Sequence, residues 1–157
     1  LITNNQTMKK LIYLFLTLLI VACGKTVNER EEGQYLTREK KVQYYKGIPF
    51  SGTLVKDDEW SIETREFKEG LLDGVTEFYY SYKKFEDDNM NNEIYRPYVV
   101  SEKYDGYVLT DKGYYEDNVL VFTEEYHPNG QLKSKNKIMD NGRSLELLRY
   151  DENGQSW

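Results

Sequence analysis

The side chains of this chain that could carry out chemistry are many carboxylates, one histidine and one cysteine. His127 stands beside Pro128 in a predicted turn, and Asp151 occupies the matching position of a later, similar turn. A position that accepts His or Asp in the same turn is typical of a turn residue. The chain has only one histidine and one cysteine, Cys23. Nucleophilic or metal sites built from histidine or thiol side chains would lack their further residues. We therefore predict no catalytic residue, no metal and no cofactor.

Carboxylates are the only candidate catalytic groups that the chain has in number. A hydrolase of the paired type places a carboxylic acid and a carboxylate on either side of the bond it cleaves. Spacing singles out no pair among the candidates, which are Glu63, Glu66, Glu77, Glu124 and Glu125. A carboxylate-based hydrolase stays open, although our prediction is that the protein is not an enzyme.

An acidic stretch at residues 87–93 (DDNMNNE) invites comparison with a calcium-binding loop, because Asp87, Asn89 and Asn91 alternate. An EF-hand loop would need glycine where Asn92 stands and glutamate where Tyr98 stands. Neither residue is present. We interpret the stretch as a solvated loop, with weak adventitious calcium binding as the alternative.

Tyrosine is the most informative residue type, with 15 copies in the chain. Seven of them would recur in rows across neighbouring strands: Tyr79, Tyr95, Tyr98, Tyr107, Tyr115, Tyr126 and Tyr150. Such rows stabilise a sheet by cross-strand packing. Tyrosine rings also suit recognition, because they cover area at low entropic cost. We take these seven residues as the candidate binding surface for a peptide, a glycan or a partner protein.

The composition limits the class of partner. The 157 residues carry a net charge of −6, and lysines and arginines do not cluster. An acidic domain repels phosphate backbones, so we expect no nucleic-acid partner. Aromatic residues make up 15% of the chain, which favours β-strands over disorder.

The elements that would position these side chains follow from an internal repeat. Residues 126–131 (YHPNGQ) return as residues 150–155 (YDENGQ), 24 positions later. The repeat subdivides, because turn-forming pairs recur every twelve residues at 105–106, 117–118, 129–130, 141–142 and 153–154. Asn-Gly and Asp-Gly pairs favour hairpin turns. Segments such as Val119–Tyr126, 132–139 and 145–150 would be the strands between them.

The pattern extends backwards and predicts an all-β fold, an antiparallel meander of about eight strands over residues 42–150. Matching turn signals lie at 69–70, 57–58 and 46–47. The spacing is interrupted at residues 82–93, which we interpret as an inserted loop. A strand would then resume over residues 94–103, with Pro97 marking an edge or a bulge.

The amino terminus has the layout of an export signal. Met8, Lys9 and Lys10 precede an apolar run at residues 11–20, too short to cross a bilayer comfortably. Residues 20–23 (IVAC) resemble the lipobox of bacterial lipoproteins, in which the cysteine is lipidated and the signal is removed. An uncleaved anchor or a buried apolar helix is the alternative. Residues 1–7 would be upstream sequence and residues 8–22 the signal peptide.

The lipobox resemblance implies a cellular location. Cys23 would attach the protein to the membrane through its acyl chains. Because Gly24 is not the aspartate that retains many lipoproteins in the inner membrane, export to an outer membrane is expected if the organism has one. Residues 23–41 are polar and would form a flexible tether, with the folded domain over residues 42–157.

The glycine and aromatic spacing resembles MORN repeats and their bacterial variant. Residues 70–79 (GLLDGVTEFY) and 44–54 (YYKGIPFSGTL) each place two glycines near aromatic residues, and 126–133 (YHPNGQLK) resembles the variant's recurring turn. The bacterial proteins of this kind are grouped as a YwqK-like antitoxin component. The resemblance implies a β-hairpin repeat fold, and it assigns no chemistry to any residue.

Together these observations predict a membrane-anchored lipoprotein whose β-repeat domain acts as a binding or scaffolding module in the cell envelope. Its partners would be the membrane, through Cys23, and a protein or glycan. The alternative, implied by the family resemblance, is an antitoxin or immunity-type protein. Such a protein would have to neutralise an envelope-acting toxin, because a cytoplasmic toxin would never meet it.

Overall fold

The computed structural model describes residues 24–83 and 99–156. This part of the chain is mostly β-structure, with one single-turn α-helix, α1 (Glu29–Glu32), and one 3-10 turn, Gly33–Tyr35. The strands are β1 (Lys25–Asn28), β2 (Leu36–Glu39), β3 (Val42–Tyr45), β4 (Ile48–Pro49), β5 (Gly52–Asp57), β6 (Ser61–Lys68), β7 (Leu71–Ser81), β8 (Tyr107–Glu116), β9 (Val119–Tyr126), β10 (Leu132–Ile138) and β11 (Ser144–Arg149).

The strands form one large sheet and one small sheet. The large sheet has the order β1-β5-β6-β7-β8-β9-β10-β11, and the small sheet has the order β2-β3-β4. Strands β5 to β11 are antiparallel neighbours in chain order, whereas β1 joins β5 in parallel. The prediction of an all-β fold with a large antiparallel sheet is confirmed.

The predicted turns lie where the twelve-residue spacing puts them. Loops 127–131, 139–143 and 151–155 share one hydrogen-bond pattern: the first N–H donates to the fifth carbonyl, and the fourth N–H donates to the first carbonyl. The fourth residue of each is a glycine with φ between 76° and 79°. Glycine adopts this backbone conformation at little cost, because it has no Cβ.

Shorter turns connect β3 to β4, β6 to β7 and β8 to β9. Lys46-Gly47, Glu69-Gly70 and Asp117-Asn118 each have two consecutive residues with positive φ. Two positive φ angles define the type I′ turn, whose twist matches that of the flanking strands. The register of the central hairpins therefore follows from local sequence.

The core consists of two small clusters on the β5–β7 side of the sheet. Val27, Phe50 and Leu54 form the first, against Leu36, Tyr45 and Phe67. The second consists of Val55, Ile62 and Tyr79, against Tyr104, Tyr107 and Leu109. Strand β11 lies at the far end of the sheet, and all six of its residues are exposed.

The prediction of a flexible tether is wrong for residues 25–39. Strand β1 pairs with β5 along its whole length, and Val27 is completely buried. The carboxylate of Glu32 accepts hydrogen bonds from Lys25 and Tyr45, which fastens α1 to β3. A single apolar side chain in a polar stretch is a weak sequence signal, yet here it completes the first core cluster.

Two further details differ from the predicted meander. Residues 42–45 belong to the small sheet, because they pair with β2 on one side and β4 on the other. The Glu69-Gly70 turn docks on β3 through the hydrogen bond from Gln43 N–H to Gly70 O. Residues 99–103 are not a strand. The Ser101 hydroxyl accepts hydrogen bonds from the N–H groups of Lys103 and Tyr104, which turns the chain toward β8.

Several sequence predictions lie outside the described residues. They concern the signal peptide at 8–22, Cys23, the acidic loop from residue 84 onward, Tyr95 and Tyr98. In the residues that are described, no helix has the length and apolar character to span a membrane.

Candidate functional site

A row of alternating charges crosses the middle of the large sheet. Glu77 of β7 faces Lys112 of β8, which in turn faces Glu124 of β9, and Glu124 faces Lys135 of β10. Directly opposed residues of antiparallel strands project from the same face, so the four side chains form one ladder. Lys112 Nζ lies 3.1 Å from Glu77 Oε1, and Lys135 Nζ lies 2.8 Å from Glu124 Oε1. We call these four residues the charge ladder.

Each ladder carboxylate also accepts hydrogen bonds from phenols. Tyr79 donates to Glu77 Oε2 at 2.9 Å, and Tyr126 donates to Glu124 Oε2 at 2.8 Å. In both cases the tyrosine follows the glutamate by two residues, and strand alternation puts such residues on one face. Tyr114 of β8 adds a second phenol to Glu124, at 2.7 Å. The Glu-x-Tyr unit therefore occurs twice with the same geometry.

The segment that precedes β8 covers one end of the ladder. Lys103 Nζ lies 2.8 Å from Glu77 Oε2, and the ring of Tyr104 packs edge-on against Tyr79 with 5.0 Å between ring centroids. Glu77 is thus held by two lysines and a phenol. The Glu124 end of the ladder has no such cover within the described residues, since its described partners all come from β8, β9 and β10.

Lysine side chains of the ladder also lie over aromatic rings. Lys135 Nζ is 5.7 Å from the ring centroid of Tyr114 and 5.5 Å from that of Phe122. Lys112 Nζ is 6.0 Å from the ring centroid of Tyr126. These distances are within the range of cation–π attraction. Charge and aromatic surface are therefore combined in one rigid patch, the ladder face, made of Tyr114, Phe122 and Tyr126 around Glu124 and Lys135.

The hydrogen bonds fix the ionisation of the ladder. Burial alone would raise the pKa of Glu77 and of Glu124. Hydrogen bonds from lysines and phenols outweigh burial, and both pKa values lie below the ordinary glutamate range. Burial and the bond to Glu124 raise the pKa of Tyr114 to about 12, and the same causes raise that of Tyr126.

At neutral pH the ladder consequently holds ionised carboxylates and neutral phenols. A general acid needs a carboxyl group whose pKa is raised, and the shift here has the opposite direction. What the arrangement does is align four strands and hold aromatic rings in fixed positions. Rings fixed in this way form a preorganised surface for contact.

The structure divides the predicted tyrosines between two faces. Tyr79, Tyr107 and Tyr126 share the ladder's face, and Tyr79 is only 4% exposed. Tyr115 projects from the other face, although it lies eight residues after Tyr107, because the register shift that skips Thr110 reverses the alternation of β8 between them. Tyr150 stands just beyond β11 and pairs with Ser156.

The remaining candidates have structural partners. Glu63 forms an ion pair with Arg65, Glu66 accepts a hydrogen bond from Val75 N–H, and Glu125 forms an ion pair with Lys133. His127 Nε2 lies 3.0 Å from the carbonyl oxygen of Tyr150, and Asn129 Nδ2 donates to Glu152 O at 2.8 Å. These two contacts fasten the 127–131 loop to the 151–155 loop. An open groove lies between the loops.

Sequence reasoning named Glu77 and Glu124 without their partners. It missed Lys112, Lys135 and Tyr114, because their roles depend on the register between strands. A partial signal was present in the Glu-x-Tyr spacings at 77–79 and 124–126, but the same spacing also occurs at 93–95 and 102–104.

The described residues contain no group of three or more His, Cys, Asp or Glu side chains arranged to hold a metal ion. Comparison of the chain with protein-family models, with curated proteins and with solved structures finds no match. The fold and the ladder face therefore define a mostly β protein with a charged, aromatic sheet face, and function has to be argued from these features.

Proposed function

We propose that this protein is a lipoprotein, anchored through Cys23, whose β-domain acts as a binding or scaffolding module in the cell envelope. Residues 20–23 resemble a lipobox, and Cys23 is the only cysteine of the chain. The observation that carries the binding role is the ladder face. Its rings are held by a network of hydrogen bonds and cations. Side chains that are already fixed lose little conformational entropy when a partner binds to them.

The proposed anchor would hold the domain near the membrane. Only Gly24 separates Cys23 from β1, which is paired with β5. A domain attached so closely has little freedom to reach distant partners. A partner in the same membrane or in the adjacent envelope layer fits this geometry best.

The proposal includes a MORN-like repeat architecture. Its support is the common geometry of the loops at 127–131, 139–143 and 151–155, which follow one another at twelve-residue intervals. The two-glycine spacing at 44–54 and 70–79 supports it further. In such an architecture each hairpin buries its apolar side only against its neighbours.

Labelling with radioactive palmitate tests the anchor. We expect the full chain to incorporate label and to sediment with membranes, whereas Cys23→Ala incorporates none and leaves the membrane fraction. Retention of Cys23→Ala in the membrane would overturn the lipid anchor and favour an uncleaved apolar segment.

Cross-linking in intact cells tests the ladder face. We expect a defined cross-linked species that is lost when Tyr114 and Phe122 are both changed to alanine. The matched control is Tyr115→Ala, which removes a tyrosine from the opposite face of the same strand. Circular dichroism of both variants must show folded protein. Equal loss of the species in both variants would contradict a role specific to the ladder face.

The family resemblance favours a second candidate, an antitoxin or immunity-type protein. The resemblance rests on residues 44–54, 70–79 and 126–133, and the recurrence of the 127–131 loop shape at 151–155 supports the repeat. Expression of the chain together with an envelope-acting toxin encoded beside it tests this candidate. Relief of killing would support it, and unrelieved killing would count against it.

A further inference from the structure

The free edge of the large sheet is unusually apolar. Strand β11 pairs only with β10 in the described structure, so its other side presents unpaired backbone N–H and C=O groups. Its residues Leu145, Leu147 and Leu148 are 50%, 44% and 43% exposed. Edge strands are normally protected by proline, lysine or a covering element. The sequence of β11, SLELLR, contains neither proline nor lysine.

The two faces of β11 differ in chemistry. Leu145 and Leu148 lie opposite Lys137 and Lys135 and share the face of the charge ladder. A bulge in β11 leaves Leu147 without a directly opposed residue on β10. As a result, Glu146 and Arg149 both project from the opposite face. One side of the edge is therefore apolar, and the other carries one acidic and one basic side chain.

We propose that β11 is a self-association edge, and that a second copy of this chain pairs with it antiparallel to continue the sheet. Antiparallel pairing about a two-fold axis puts the same segment on both sides of the contact. With the axis between Glu146 and Leu147, Leu145 lies opposite Leu148 of the second copy. Symmetry produces this apolar pair twice.

The same register also matches the charges. Glu146 lies diagonal to Arg149 of the second copy, within reach of long side chains, and this pair also occurs twice. Within one chain, Arg149 Nη1 and Glu146 Oε2 are 3.8 Å apart, and their side chains are 57% and 50% exposed. That weak, exposed pair leaves both groups able to serve a partner.

A second copy accounts for the edge better than an unrelated peptide does. The segment is complementary to a second, antiparallel copy of itself, because both the Leu145–Leu148 pair and the Glu146–Arg149 pair form between the two copies. The 151–155 loop begins just after β11 and limits the pairing to the six residues of the strand. The inference is independent of lipidation at Cys23, because it depends on the edge of the folded domain alone.

Charge reversal at the two ends of the ion pair tests the proposal. In Glu146→Arg, the new arginine of each copy would lie diagonal to Arg149 of the other copy. In Arg149→Glu, the new glutamate of each copy would lie diagonal to Glu146 of the other copy. We expect each variant of the full chain, purified in detergent, to dimerise at least about tenfold more weakly than the parent in sedimentation experiments. An equimolar mixture of the two variants should regain the dimer, since both diagonal pairs become complementary again.

Glu59→Arg is the matched control, because it makes the same charge change at an exposed turn far from β11. It should dimerise like the parent. A parent chain that stays monomeric throughout the accessible concentration range would overturn the proposal, even if another molecule binds at β11. Dimers that persist in both single variants, or a mixture that fails to regain the dimer, would overturn it as well.

Discussion

At the scale of single residues, Glu124 has the most connected side chain of the ladder face. It is 8% exposed and accepts from Lys135, Tyr114 and Tyr126. In Glu124→Gln, Lys135 loses its charge partner and the amide presents donors to phenols that also donate. We expect the free energy of unfolding to fall by about 1–3 kcal/mol at neutral pH, measured by urea denaturation.

The loss of stability in Glu124→Gln should depend on pH and be larger at neutral than at acidic pH. The pKa of Glu124 is lowered on folding, so its ionised form contributes stability above the unfolded pKa of about 4.3. That contribution disappears as the pH falls through the lower pKa of the folded state. The difference between parent and Glu124→Gln should therefore be full at pH 7 and shrink below about pH 4.

Glu125→Gln is the control for this prediction. Glu125 follows Glu124 on the same strand, but it projects from the other face and pairs with an exposed lysine. Exposed pairs contribute about 0–1 kcal/mol, so the change should be small at every pH. Equal losses from the two variants would contradict the special position of Glu124.

Sequence reasoning at this scale could identify the glutamates and most tyrosines, but not which of these side chains share a face and contact one another. The prediction of tyrosine rows assumed unbroken alternation along each strand. A register shift opposite Phe78 and Tyr79 breaks it at Thr110 of β8, and this sends Tyr107 and Tyr115 to different faces although they are eight residues apart. Where a bulge falls depends on both paired strands, so a single strand's sequence does not specify it.

At the scale of elements, the Glu69-Gly70 turn joins the two sheets. Gly70 N–H donates to Phe50 O, and its carbonyl accepts from Gln43 N–H, both at 2.7 Å. Its φ is +82°, and an added Cβ would lie 2.5 Å from Val42 Cγ1 and 2.7 Å from Gln43 O. In Gly70→Ala we expect the backbone strain and this collision to lower the free energy of unfolding by about 2–4 kcal/mol, measured by urea denaturation.

Gly142→Ala separates the two causes. Gly142 also has a positive φ, +76°, but an added Cβ would meet nothing within 4 Å. The control should therefore lose only the cost of the backbone conformation, about 1 kcal/mol. If both variants lose the same amount, close packing of the turn against β3 is not what Gly70 provides.

Turns were the most predictable elements of the chain. Asn-Gly and Asp-Gly pairs specify positive φ angles locally, and the strands between them begin and end within a residue of the predicted segments 119–126, 132–139 and 145–150. Strand β1 was not predictable in this way. Its pairing partner, β5, begins 24 residues after Asn28, and the sequence of β1 alone has neither alternation nor turn signals.

At the scale of the whole molecule, stability is distributed unevenly. Both core clusters lie near β5, β6 and β7, whereas β11 is exposed along its length. The β8–β11 part of the sheet depends more on cross-strand pairs such as the charge ladder. We infer that the free edge belongs to the less stable end of the sheet, where pairing with another strand would add most to the stability of the fold.

The amino-terminal strand decides where the folded domain begins. Val27 is fully buried beside Phe50 and Leu54, so the removal of its two methyl groups leaves a cavity in the first core cluster. We expect Val27→Ala to lower the free energy of unfolding by about 1–3 kcal/mol in urea denaturation. Thr26→Ala, one residue earlier and exposed, should change it by less than about 0.5 kcal/mol. A flexible tether would make both variants indistinguishable from the parent, and the domain would then begin at β2 or later.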